Sequence, residues 1–263
     1  MIRKIISHPL THGLDLDSPK TSELRAKIIK EKGFLSRIYL EWYKMIINSI
    51  PHAIHGKVLE LGSGGGFFGE VFPDVIKSDI IFLSMNDVVA DAHYLPFKSD
   101  SLCAIVMTNV LHHIPNPEIF FQSAKRCIHP GGRMIMIEPW VSTWSKFVYT
   151  NLHHEPFDPD VKEWCFPKHG PLSGANSALP WILFYRDKDL FSQLFPEWSI
   201  DQIKLQMPFR YLLSGGVSLR RLMPDCTFNI WKWFENRLDP VMKKAAMFAF
   251  ISLELRTSRT SII

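Results

Sequence analysis

Two histidine clusters and a run of glycines carry the residue types in this chain that could do chemistry. His112 and His113 are adjacent. An imidazole titrates near neutral pH, so either ring could take a proton from an acceptor hydroxyl. The plainer alternative has one ring hydrogen-bonding a neighbouring loop while the other lines a pocket. His153, His154 and Glu155 form a second polar group, suited to an acceptor pocket that Trp140 could help to wall. They lack the helical H-E-x-x-H spacing of a metal site, so no metal is assigned. The third feature is an apolar run ending at Glu60-Leu61 and followed by Gly62-Ser63-Gly64-Gly65-Gly66. Glycine allows positive φ without steric cost and leaves backbone N–H groups open to a bound molecule. A loop of this kind after a first strand is how several folds cradle a nucleotide or a nucleoside-like ligand.

Spacing narrows the ligand. The dinucleotide fingerprint G-x-G-x-x-G needs a third glycine where Phe67 stands. A phosphate-binding P-loop needs Lys and then Ser or Thr, where Phe67, Phe68 and Gly69 follow. No Lys or Arg occurs between Gly66 and Lys77, which argues against a pyrophosphate. Asp79 stands 17 positions beyond Gly62. That is close to the ~20-residue offset at which nucleotide-binding units place a carboxylate on ribose hydroxyls.

The pattern that fits is acidic-x-G-x-G-x-G, filled by Glu60, Gly62, Gly64 and Gly66. It resembles motif I of the class I S-adenosylmethionine-dependent methyltransferases, whose ligand is a cation without phosphate. Asp91-Ala92-His93-Tyr94-Leu95-Pro96-Phe97 is similar to that family's D-A-x-x-L-P-F segment. Val110-Leu111-His112-His113 resembles its V-L-H-H, and His129-Pro130-Gly131-Gly132 its K-P-G-G. The resemblance implies an α/β, Rossmann-like, doubly wound sheet of seven strands with an antiparallel edge. It implies S-adenosyl-L-methionine held by Glu60, Gly62, Ser63, Gly64, Gly66, Asp79, Asp91, Ala92 and Asn109, with Asp91 and Ala92 at the adenine edge. It further implies methyl transfer to a small-molecule, sugar or lipid-linked acceptor, with oxygen favoured and His112 and His113 as the catalytic candidates. The alternative is a binding or regulatory protein of the same fold without turnover.

Strands must bring these groups to one edge. The pattern predicts strands over 57–61, 75–78, 103–109 and 133–138, with a short helix over 67–72 cut off by Pro73. In open α/β sheets ligands bind beyond the carboxyl ends of the strands, where Gly62, Asp79, Asp91, Asn109 and Glu138 fall. Helices are expected over 21–33, 34–50, 118–128 and 186–195, and the last two strands over 198–207 and 209–216. The domain plan is an N-terminal helical cap (1–56), a cofactor-binding core (57–139) and an acceptor-pocket insertion (140–185). The last helix and strands (186–217) and a C-terminal helical extension (218–263) complete it. The nine apolar residues 245–253 are too few to span a bilayer. With Trp, Lys and Arg nearby, they are expected to form a helix that packs on the sheet or lies in a membrane interface.

Composition bounds the rest. At 46% apolar and 21% charged residues the chain is an ordinary globular one. A net charge of +4 without a basic stripe disfavours a nucleic-acid partner. Four scattered cysteines without a C-x-x-C pair suit a reducing compartment and no structural zinc. The opening apolar run is too short for a signal peptide, so a cytoplasmic location is expected, with the inner membrane face as a variant. The oligomeric state is left open.

Overall fold

The computed structural model describes residues 8, 15–153, 155–167, 170 and 172–257. Its strands are β1 Lys57–Leu61, β2 Val75–Asp79, β3 Val88–Val89, β4 Leu102–Thr108, β5 Ile128–Pro139, β6 Trp198–Gln206 and β7 Phe248–Leu255. They form one sheet in the order β3-β2-β1-β4-β5-β7-β6. The first five run parallel, and β7 is antiparallel to both its neighbours, β5 and β6. Strand order reverses between β1 and β4, which is where such sheets open a crevice for a ligand.

The helices are α1 Pro19–Glu31, α2 Gly33–Ile47, α3 Phe68–Val71, α4 Pro117–Cys127, α5 Thr143–Leu152, α6 Leu179–Trp181, α7 Lys188–Leu194, α8 Arg210–Ser214, α9 Phe228–Glu235 and α10 Met242–Ala245. Both sheet faces are covered, so the central strands are apolar on both sides. Along β5, Met134 and Met136 pack with Phe120 and Phe121 of α4, whereas Ile135 and Ile137 pack with Phe34, Ile38 and Trp42 of α2.

Three expectations are corrected. The apolar run 245–253 is not a C-terminal helix. Most of it is β7, a strand buried between β5 and β6, so the membrane contact assigned to that helix has no basis in the fold. A strand buried on both faces reads as a continuous apolar run, which periodicity cannot separate from a buried helix. Residues 218–247 are therefore the connection into the sheet, not an extension beyond it. The expected strand over 209–216 is the short helix α8. Its first N–H groups, on Phe209 and Arg210, donate to Glu235 of α9 at 2.8 and 2.7 Å, and Gly215 (φ 76°) closes its end. That capping group lies 25 residues away and left no local signal. Gly33 starts α2 where it was expected to stop α1. The break falls at Lys32, which is extended, and Asp225 accepts from the N–H of Phe34 at 3.0 Å. Among the described residues no helix is long and apolar enough to cross a membrane.

Candidate active site

The glycine loop leaves β1 with Gly62 at φ 70° and Gly64 at φ 45°, a left-handed region that side chains avoid. Ser63 N–H donates to Ser78 O at 2.8 Å, Gly66 N–H to Ser63 O at 2.8 Å, and Gly64 N–H to Asp79 Oδ2 at 2.9 Å. A Cβ at Gly66 would stand 2.8 Å from the Tyr43 hydroxyl, and one at Gly65 would stand 2.7 Å from the Ala26 nitrogen. The loop is clamped between the sheet and the N-terminal helices, with no room for a side chain at Gly65 or Gly66.

One cavity runs from this loop along the carboxyl ends of β1, β2 and β4. Glu60, Gly62, Ser63, Gly64, Gly66, Asp79, Asp91, Ala92 and Asn109 line it, and so do His112, His113, His153 and Glu155. The expected cofactor residues and both described histidine groups thus share one space. Ser22, Arg25 and Ile29 from α1 and Tyr39 and Tyr43 from α2 roof it, and Tyr211 of α8 closes a side. Tyr39 and Tyr43, buried in the core against the sheet, also face the cavity. Arg25 and Tyr211 carried no signal of their own. Trp140 is a correction. It does not line the cavity, but lies 3% exposed in the core with its ring edge-on to Tyr185. His154 lies outside the described residues.

At the far end of the cavity Asn109 turns the chain out of β4 at φ 59°, a conformation that Asn tolerates better than most residues. The turn Leu111–His113 follows. Glu138, at the end of β5 and fully buried, accepts from the N–H groups of Val110 and Leu111, both at 2.8 Å, and its Oε2 lies 2.6 Å from His112 Nδ1. His113 Nδ1 lies 3.1 Å from the Gly174 carbonyl, which can only accept, so that nitrogen carries the hydrogen and Nε2 the lone pair. Glu155 faces both rings, with Oε2 3.4 Å from His112 Nε2 and Oε1 3.8 Å from His113 Nε2. Burial opposes charge on His112, but Glu138 and Glu155 outweigh it and raise the ring to about 9. Burial and then the neighbouring His112 push His113 down to about 4. Glu155 is held well below the usual carboxylate range because three imidazoles, led by His153, overcome its burial. Asp91 uses Oδ1 locally, accepting from His93 N–H at 2.9 Å and lying 2.7 Å from His93 Nδ1.

A family model described as a methyltransferase domain matches residues 59–136, the span from β1 through β5. The chain carries a class I methyltransferase domain. An S-adenosylmethionine-dependent methyltransferase from Thermotoga maritima, described as a possible histamine N-methyltransferase, shares the fold at a TM-score of 0.52 and 15% identity, over 89% of this chain and 99% of the other. A geranyl diphosphate C-methyltransferase from Streptomyces coelicolor, solved with Mg2+, geranyl-S-thiolodiphosphate and S-adenosyl-L-homocysteine, aligns at a TM-score of 0.50 and 12% identity. That alignment covers 91% of this chain and 83% of the other. An uncharacterised protein of Methanocaldococcus jannaschii is 29% identical over 103 residues, 36% of this chain; the chain spans about half (50%) of that relative's length.

The methyltransferase domain's cleft fits S-adenosylmethionine on its own chemistry. The backbone cradle admits a close ligand, and Asp79 and Asp91 bring carboxylates to the cavity wall, groups able to accept from ribose hydroxyls or an adenine amine. Arg25 is the one Lys or Arg among its described lining residues, so nothing there is built for phosphate, while Glu60, Asp79 and Asp91 suit a cation.

Glu60 supplies a pH test. Burial raises its carboxyl to about 7, with Lys77 opposing the rise and Asp79 adding to it. The native state thus holds a proton that the unfolded chain releases near its ordinary value of 4.5. Stability from this group is complete below pH 4.5 and is lost as pH rises through 7, by about 3 kcal/mol. A cationic ligand favours the ionised form, so affinity for S-adenosylmethionine should rise with pH up to about 7. Glu60→Gln should flatten both profiles. Calorimetry across pH 5–8 in buffers of different ionisation enthalpy checks it, and an unchanged slope in the variant would sink the assignment.

Proposed function

We propose that this chain transfers a methyl group from S-adenosylmethionine to a hydroxyl oxygen of a small-molecule or sugar-type acceptor. The observation that supports it is the single cavity joining the glycine loop to the His112–His113–Glu155 cluster. When bound, S-adenosylmethionine supplies a methyl group on a cationic sulfur, which a nucleophile displaces in line while sulfur keeps the bonding electron pair. The protein's share is positioning and proton handling. Glu138 fixes the turn and aims His112 through Nδ1. His113 presents the lone pair of Nε2, because Nδ1 is committed to Gly174. An acceptor hydroxyl placed against His113 Nε2 and Glu155 meets two proton-accepting groups, and its proton passes to that wall as the oxygen attacks. The roof of Tyr39, Tyr43 and Tyr211 favours a partly apolar acceptor face and keeps water from the reacting atoms.

The test has two parts. Calorimetry with S-adenosylmethionine should show one site, and no binding at millimolar cofactor would end the reading. A product-mass screen of cell extracts with isotopically labelled cofactor should yield a methylated hydroxyl compound, and His113→Ala should lower its formation roughly 10²-fold. A product methylated on nitrogen or carbon would overturn the choice of oxygen. Cofactor binding with no methylated product would favour a non-catalytic role.

A further inference from the structure

We propose that His112, His113 and Glu155 bind a first-row divalent transition metal ion at the acceptor end of the cleft. The two imidazoles arrive from the turn after β4 and the carboxylate from the loop after α5, so no local sequence spacing announces the set. One ligand atom from each lies within 4.8 Å of the other two.

Three observations carry the proposal. The first is tautomer control. Both rings commit Nδ1 to an outer partner, His112 to Glu138 Oε2 at 2.6 Å and His113 to the Gly174 carbonyl at 3.1 Å. Both Nε2 atoms are therefore turned toward Glu155. Metal-binding histidines hold their outer nitrogen in this way, on a carboxylate or a backbone carbonyl. The second is distance. Glu155 lies 3.4 Å from one Nε2 and 3.8 Å from the other. Charge-assisted hydrogen bonds close to 2.7–2.9 Å, and both contacts exceed that. Bonds of about 2.1 Å to one tetrahedral ion place its ligands roughly 3.4 Å apart. The third is charge. Glu138 and Glu155 stand on opposite sides of the His112 ring, and an ion at the two Nε2 atoms would take the place of the His112 Nε2 hydrogen against Glu155, so the carboxylates keep a positive partner.

The surroundings hold the carboxylate in place. His153 Nδ1 accepts from the Glu155 N–H at 3.3 Å, and Ser177 Oγ lies 3.4 Å from Glu155 Oε2. Two imidazoles and one carboxylate select zinc, iron(II), cobalt or a similar ion over magnesium, which prefers an all-oxygen shell. The role of the ion rests on the proposed methyl transfer and deepens it. With the ion in place, His113 Nε2 and Glu155 are its ligands in place of proton acceptors. An acceptor oxygen taken up as a further ligand, fixed facing the cofactor cradle, therefore gives its proton to solvent as it binds, because the ion lowers its proton affinity. Ion binding itself needs no turnover to be seen.

The experiment is calorimetry of the full chain, stripped with a chelator, titrated with Zn2+ alone. One equivalent is expected to bind, and Co2+ should give visible absorption bands of nitrogen and oxygen ligation. Glu155→Gln and His113→Gln should each weaken Zn2+ binding at least 100-fold, and Glu138→Gln, outside the ligand set, by 10- to 100-fold. Absence of saturable Zn2+ binding, equal binding in the Glu155 and His113 variants, or equal binding of Mg2+ would each overturn the proposal. S-adenosylmethionine titrated into the same stripped protein separates the two readings. Cofactor binding without Zn2+ binding overturns the metal site and leaves the methyl-donor reading standing. Loss of cofactor binding alone overturns the methyl-donor reading and leaves the ion site standing.

Discussion

Asp79→Ala is expected to weaken S-adenosylmethionine binding by at least about 100-fold while the chain stays folded. Asp79 closes β2 and is 8% exposed, with Oδ1 accepting from Ile81 N–H and Oδ2 from Gly64 N–H, both at 2.9 Å. Each carboxylate oxygen keeps a second lone pair, which suits it to a ribose hydroxyl as well. Hydrogen bonds to a charged group are worth about 1.5–3 kcal/mol each, so losing two amounts to roughly 100-fold or more in affinity. The variant also frees Gly64, whose left-handed φ of 45° is held by this contact. Asp79→Asn keeps one acceptor oxygen and should lose about tenfold. Calorimetry on the full chain, beside a urea melt, separates lost affinity from lost fold. An Ala variant binding within threefold of the parent would remove Asp79 from the cofactor site.

How much of this was legible in the sequence depends on how local each cause is. β1, β2, β4 and α4 were readable because their apolar patterns, and the glycine break that follows Leu61, lie within the elements or directly beside them. The meeting of the glycine turn with Asp79 and Asp91 in one cavity was readable for the same reason, since glycine spacing and acids at strand ends are short-range features. β7 was not. Its burial on both faces comes from insertion between β5 and β6, a topological fact that makes a strand look like an apolar helix. α8 was not readable either, because its cap is Glu235. In the site, Glu138 was visible as a strand-end acid, but its work on the turn at 110–112 depends on the pairing of β4 with β5. The grouping of Glu155 with His112 and His113 is longer-range still. Trp140 misled because an aromatic next to a strand end reads the same whether it faces the cleft or the core.

Glu138→Ala is expected to cost about 3–5 kcal/mol of stability, the largest effect of any polar substitution proposed for this chain. The side chain is completely buried and accepts two backbone N–H groups as well as facing His112 Nδ1. Alanine leaves those donors without a partner in a space that burial has closed, and each stranded donor costs about 1–3 kcal/mol. The damage should travel toward the cofactor. A Cβ at Gly62 would meet Val110 Cγ2 at 2.6 Å, so the Val110 side chain sits directly against the glycine loop. Release of the Val110 N–H therefore loosens the histidine turn and the cradle together. Glu138→Gln supplies the control. Its amide oxygen can still accept from Val110 and Leu111, while its amide N–H₂ faces His112 Nδ1. The ring must then accept at Nδ1 and carry its hydrogen on Nε2, toward Glu155. Urea melts should place Gln about 1–2 kcal/mol below the parent, and ¹⁵N spectra of the imidazoles should show that His112 has lost the hydrogen from Nδ1 in a chain that is still folded. An alanine variant within about 1 kcal/mol of the parent, or a glutamine variant whose His112 keeps its hydrogen on Nδ1, would mean that Glu138 does not hold the turn. The orientation of both histidines would then need another cause.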